Sequence, residues 1–218
     1  MAKHNRAVCA HQGRAAMEKS RAVRRENTRE HILKAAIDLF SRKGFENTSV
    51  ESITRRAKIA KGTFYNFFEK KEDVLLYFLD REYSKSEEEI ERKLSSKQTF
   101  LDQIELSIAA YIKHIFPEKE FTKVLIKERI GKIGTGKNKN ELHLMQALSQ
   151  SIDMAKQRKE ITRSIDSSRL AEMIFALYTM YVIYWTNGFI KTKGECVARI
   201  KEAVQYVLQG VEAGKNKL

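Results

Sequence analysis

The run Lys61-Gly62-Thr63-Phe64-Tyr65-Asn66-Phe67-Phe68 gathers an ammonium, a hydroxyl, a phenol and a carboxamide around a glycine. Those groups donate hydrogen bonds to base edges and phosphate oxygens, and glycine lets a backbone approach a duplex closely. On a helix, Phe64 and Phe68 fall four apart and turn inward together, leaving the polar groups outside. A second run, Gly131 to Asn138, fits the first seven positions of the phosphate-binding pattern G-x-x-x-x-G-K-[ST]. Asn138 lacks the hydroxyl that would reach Mg²⁺, and Val124-Leu125-Ile126 ahead of it lies in a helical pattern rather than a buried strand. Nucleotide binding by 131–138 is therefore the lesser alternative. The sequence has no G-x-S-x-G elbow, no H-E-x-x-H and no carboxylate pair at a distinctive spacing, which predicts a protein that is not an enzyme and needs no cofactor. His114 and His143 have no second ligand at metal-binding helical spacing, so packed or surface histidines are expected and no metal site.

Charge points the same way as the first run. The 218 residues carry 41 Lys/Arg against 28 Asp/Glu, a net +13. Residues 1–66 hold 15 of the basic and 6 of the acidic side chains, so +9 sits in under a third of the chain. Such a field attracts polyanions, nucleic acid first and an acidic membrane surface second. No apolar stretch of signal-peptide length follows the basic N-terminus, and Cys9 and Cys196 stand alone, which predicts a cytoplasmic protein. Met173 to Ile190 is free of charge, but Asn187-Gly188 ends its helix short of the roughly 20 residues a bilayer requires. A buried helix is expected there, and no membrane partner.

The elements that must position these residues are helices. Residues 1–24 have little apolar periodicity and read as a flexible basic arm. From Asn27, apolar residues at Ile32, Leu33, Ala36, Leu39 and Phe40 recur at helical spacing until Lys43-Gly44 closes the helix. Thr48 or Ser49 offers an N-cap for a short helix through Val50, Ile53 and Ala57, and a second short helix surrounds Thr63-Phe64-Tyr65. A long helix runs over about 70–94. Further helices are expected near 98–116, 118–131, 139–159, 167–187 and 194–212, with no strand pattern competing. Two short helices joined by a tight turn and braced by a third form a helix-turn-helix unit, here about 49–68, whose second helix enters the major groove.

The run Ile32-Leu33-x-Ala35-Ala36-x-x-Leu39-Phe40-x-x-x-Gly44-Phe45-x-x-Thr48-Ser49-Val50-x-x-Ile53 resembles the DNA-binding domain of the TetR family of transcription regulators. So does Lys61-Gly62-Thr63-Phe64-Tyr65-x-x-Phe68-x-x-Lys71-Glu72-x-x-Leu75. The resemblance covers about 50 residues without a gap. It implies an all-α chain with a helix-turn-helix domain at 25–85, joined by the long helix to an effector-binding and dimerisation domain at 86–218.

It also implies roles. Thr48, Tyr65 and Lys71 would meet operator phosphates, Lys61, Gly62, Thr63 and Asn66 would face the major groove, and Ser49 would be a further DNA-binding residue. The last two helices would pair in a homodimer, with Met173, Ala176, Met180 and Ile183 on one stripe and Val197, Ile200, Val204, Val207 and Val211 on the other. A pocket for a small-molecule effector would draw on Tyr111, Phe116, Met145, Phe175, Tyr178, Tyr181 and Trp185. The expected function is a ligand-released repressor bound as a homodimer to a palindromic double-stranded operator. Three positions depart from the family pattern: Thr54 replaces the usual alanine, Lys58 the usual glycine of the turn, and Ala60 a hydroxyl cap. A side chain in a left-handed turn costs on the order of 1 kcal/mol.

Overall fold

Apolar residues at three- and four-residue spacing, capped ends and a single proline give nine α-helices and no strand among the described residues. The computed structural model describes the backbone of residues 2–95, 98–130, 139–161 and 165–213, and the side chains of 17–95, 98–129, 141–161 and 165–210. In chain order the helices are α1 (Ala2–Lys43), α2 (Val50–Ala57), α3 (Lys61–Tyr65), α4 (Lys71–Lys93) and α5 (Phe100–Ile115). They continue with α6 (Lys119–Ile130), α7 (Lys139–Gln157), α8 (Ser167–Thr186) and α9 (Lys193–Ala213).

The N-terminus differs from expectation. Residues 1–24 were expected as an arm, yet α1 is helical from Ala2. The physical reason is composition: alanine, arginine, lysine, glutamate and glutamine are strong helix formers, and no proline interrupts them. At about 1.5 Å per residue, α1 is about 63 Å long, and only its C-terminal half has an apolar face to bury.

The chain divides into two compact units, Met1–Leu75 and Leu76–Leu218, earlier than the boundary expected at 85. In the first, Ile32, Leu33, Ala36 and Phe40 of α1 are buried together with Phe45, Ile53, Phe64 and Phe68. Phe40 and Phe45 stack at 5.0 Å, and Phe64 lies 5.7 Å from Phe68. Helix α2 packs on α1, and α3 on α2.

In the second unit α8 is the central element, packed against α6, α7 and α9, while α5 covers α9. Its buried side chains include Leu170, Ile174, Val182 and Trp185. A capping box at Thr99 and Asp102 opens α5, and Asp166 caps α8 by accepting from the Arg169 amide at 3.0 Å. Phe78 of α4 meets Phe121 of α6 edge-on at 4.9 Å. Cys196 of α9 is fully buried and unpaired, and burial pushes its thiol up to about 11. His114 bonds the Glu89 carboxylate at 2.7 Å. Lys113, Lys93 and His114 together hold that carboxyl well below the ordinary carboxylate range. No helix among the described residues is long and apolar enough to cross a membrane.

Candidate nucleic-acid interface

Buried phenylalanines fix the attitude of α3. Phe64 has no exposed surface and Phe68 very little, so the opposite side of this short helix must face outward. Lys61, Gly62, Tyr65 and Asn66 are exposed there, Thr63 is half-buried, and Tyr65 retains 48% of its surface. A Cβ built on Gly62 would meet nothing, so its lack of a side chain answers no need inside the molecule. The Thr63 and Tyr65 hydroxyls and the Asn66 carboxamide have no hydrogen-bond partner among the described residues. Lys61 bonds the Glu51 carboxylate across the turn, which lowers that carboxyl and raises the ammonium. Both side chains are more than half exposed, so a stronger anion can take the lysine over at little cost.

The turn carries the three departures in view. Lys58 caps α2 in the left-handed conformation, φ 54° and ψ 44°, where glycine has no steric penalty. Ala60 occupies the N-cap of α3 and makes no side-chain cap bond. Thr54 is buried and donates to the Glu51 carbonyl at 3.0 Å, so its hydroxyl is spent within α2. Ser49 is exposed and caps α2 by accepting from the Ser52 amide at 3.1 Å.

Two residues expected at phosphates are committed elsewhere. Thr48 is 1% exposed, and its hydroxyl donates to the Gly44 carbonyl at 2.8 Å. The Lys71 ammonium donates to the carbonyls of Phe45 at 2.8 Å, Thr48 at 3.2 Å and Glu46 at 3.4 Å, and lies 4.4 Å from the Phe45 ring centroid. An ammonium has three donors, and all three are used. Lys71 thus clips the loop between α1 and α2 to the start of α4. Asp73 completes that start by accepting from the Glu69 and Lys70 amides at 3.0 and 3.1 Å. Phe67, just past α3, holds the Arg25 and Arg29 guanidinium groups over its ring at 5.7 and 5.9 Å.

The second unit contains a narrow cleft with a cavity volume of about 40 Å³. Tyr83 of α4, Phe116 at the end of α5, Leu125, Ile126 and Arg129 of α6, and Phe175, Tyr178, Thr179 and Val182 of α8 line it. Of the expected pocket residues, Phe116, Phe175 and Tyr178 are there and the other four are not. Tyr111 is buried against Tyr83 at 5.7 Å, Tyr181 pairs with Tyr184 at 6.0 Å, and Met145 sits half-buried on α7. Trp185 is buried under the Lys119 and Lys193 ammonium groups, at 5.9 and 5.6 Å. Sequence reasoning missed Arg129 and Tyr83. The Arg129 guanidinium donates to the Tyr83 hydroxyl at 3.3 Å, lies 5.9 Å from that ring's centroid, and has no carboxylate partner among the described residues. Burial raises the Tyr178 phenol well above its ordinary range, so it remains neutral.

The two stripes expected at a dimer interface separate. Met173 and Met180 are 45% and 47% exposed, Ala176 is exposed and Ile183 is half-buried. Ile200 and Val204 are fully buried within the chain, as α9 turns that stripe toward its own core, and Val197 and Val207 are half-buried. The Val211 side chain lies outside the described residues. The outer side of α9 instead presents Tyr206, 63% exposed, and Phe189 ahead of α9 is also bare. The nucleotide alternative at 131–138 lies outside the described residues, but Val124-Leu125-Ile126 before it belongs to helix α6, not to the strand such a loop requires.

A sequence model described as "Bacterial regulatory proteins, tetR family" matches residues 32–78, the span of the buried helices and α3. The chain is 31% identical over 97 residues to the "Uncharacterized HTH-type transcriptional regulator YuxN" of Bacillus subtilis, covering 44% of this chain and 33% of that protein. This chain thus matches only a third of that relative's length. Among solved structures, the fatty acid degradation regulator FadR from Bacillus halodurans superposes with a TM-score of 0.71 at 19% identity, over 84% of this chain and 96% of that one. Thermus thermophilus FadR, described as a TetR-family transcriptional repressor in complex with lauroyl-CoA, superposes with a TM-score of 0.60 at 21% identity, over 83% and 93%. Residues 32–78 thus match the tetR family of bacterial regulatory proteins, and the all-helical chain has the fold of TetR-family regulators of known structure.

Proposed function

We propose that this chain is a transcription repressor that binds a palindromic operator as a two-fold dimer and is released by a small ligand. The outward face of α3 carries this reading: Lys61, Gly62, Thr63, Tyr65 and Asn66 present donors with little or no intramolecular use. Lys61, Thr63 and Asn66 reach base edges, Gly62 admits the duplex, and Tyr65 and Ser49 hold phosphates. The exposed Met173, Ala176, Met180, Phe189 and Tyr206 support pairing through the outer faces of α8 and α9. A dimer axis there would set two α3 helices on half-sites about one helical turn apart or more.

The cleft supports an effector with an apolar body and one anionic group, taken by Arg129 beside Tyr83. The lauroyl-CoA held by the Thermus protein joins an apolar acyl chain to a phosphate-bearing carrier, which makes it a first probe here. Helix α4 supplies Lys71 to the first unit and Tyr83 to the second, so a ligand that shifts α4 changes the attitude of the reading head. A differential affinity of ~3 kcal/mol weakens operator binding by roughly 150-fold.

The test is selection of genomic fragments by the purified protein at physiological salt with competitor DNA present. Enrichment of one palindrome, lost on adding an acyl-CoA, is the expected result. Only sequence-blind binding would refute the reading.

A further inference from the structure

Residues 17–27 of α1 stand outside the core of the first unit. Every residue from Met17 to Asn27 is exposed, and Lys19, Arg21 and Arg24 have no ion-pair partner among the described residues. Residues 1–25 carry seven Lys/Arg and one Asp/Glu, a net +6 of the chain's +13. At about 100° per residue, Arg21, Arg24 and Arg25 fall on one side of α1. The sequence carries the same helical spacing back through Arg14, Arg6 and Lys3, so six of the seven basic positions share an arc of about 100°. Like charges in a row repel one another, and a solvated helix gains nothing from aligning them. The row ends beside the reading head, for Arg25 lies over Phe67, the residue after Asn66.

We infer that this face of α1 is a second DNA-binding surface, which grips backbone phosphates of the duplex flanking the half-site read by α3. The inference rests on the DNA-binding reading above. From Lys3 to Arg25 the helix rises about 33 Å, close to one turn of B-DNA, so the row matches a stretch of flanking duplex rather than a single phosphate. An acidic membrane is the poorer partner. Residues 1–26 contain no Trp, Phe or Leu, and a surface-lying helix needs a bulky apolar face opposite its charges.

The experiment compares the full chain with a variant carrying Lys3→Gln, Arg6→Gln, Arg14→Gln, Arg21→Gln and Arg24→Gln. Arg25 is spared because it packs on Phe67. Affinity is measured from 50 to 200 mM salt on the selected palindrome, once in a duplex ending at the half-sites and once with about 12 further base pairs on each side. Circular dichroism and unfolding of both proteins establish that the fold is kept. The wild-type chain should bind the long duplex at least about 10-fold more tightly than the short one. Its salt slope should be steeper by about 0.9 per phosphate gained. The variant should lose that difference while keeping the same base preference. Equal wild-type affinity and slope on the two duplexes would overturn this surface and leave the α3 reading intact. No saturable binding to either duplex would overturn both. Binding to phosphatidylserine vesicles that the variant loses, with equal affinity for the two duplexes, would assign the row to a membrane instead.

Discussion

Thr63 and Tyr65 of α3 and the adjoining Asn66 turn polar groups outward with no side-chain hydrogen-bond partner among the described residues, whereas the cleft of the second unit turns aromatic and aliphatic side chains inward around one guanidinium. The first surface suits a hydrated polyanion, which replaces water at groups that were never desolvated. The second suits a ligand that sheds water and keeps one charge, because Arg129 makes a stronger bond among apolar walls than it would in solvent. Their supports differ too. The α3 face hangs on two buried phenylalanines a few residues away, while the cleft is gathered from four helices. Damage to the reading head should therefore be local and complete, and damage to the cleft graded.

The largest expected effect tests that independence. Phe64→Ala removes a fully buried ring and should cost about 3–5 kcal/mol, unfolding the first unit near ambient temperature. Scanning calorimetry should then show an early transition with operator binding gone, while an acyl-CoA still binds. Loss of both activities together would mean that the two regions fold as one. Arg129→Met comes next. It should weaken an anionic acyl probe by roughly 10- to 150-fold, the equivalent of about 1.5–3 kcal/mol for a charged hydrogen bond. Operator affinity without ligand should stay unchanged, and an equal loss of DNA binding would break the separation.

Lys71→Met sharpens the account of the head itself. Three carbonyls lose their donor, so stability should fall by about 1–3 kcal/mol, with no change in the salt slope of DNA binding. A slope reduced by about 0.9 with stability intact would return Lys71 to a phosphate. Smallest of the four, Lys58→Gly should stabilise the first unit by about 1 kcal/mol, because φ 54° is free of strain only for glycine. A destabilised variant would show that the lysine side chain is needed in the turn.

The sequence disclosed what is local. Helix ends at Gly44 and Ser49 were legible because a cap and its amide lie within four residues. The α3 face was legible for the same reason, with its groups in six consecutive positions. Lys71 shows where that stops. Its type announces a donor, but the carbonyls that take it up lie 23 to 26 residues back in the chain. Arg129 and Tyr83 are 46 residues apart, so nothing in a helical pattern joins them. For Ile200 and Val204, an apolar stripe announces burial without saying by what. Here α9's own neighbours do it.

The sealed thiol of Cys196 makes the second unit its own clock. With no exposed surface and a proton held to about pH 11, it can be alkylated only while the packing around α9 is briefly open. In a Cys9→Ser background, the labelling rate counts those openings on the native protein. A ligand that settles into the cleft should slow the count in proportion to its occupancy, reporting binding without DNA, dye or partner.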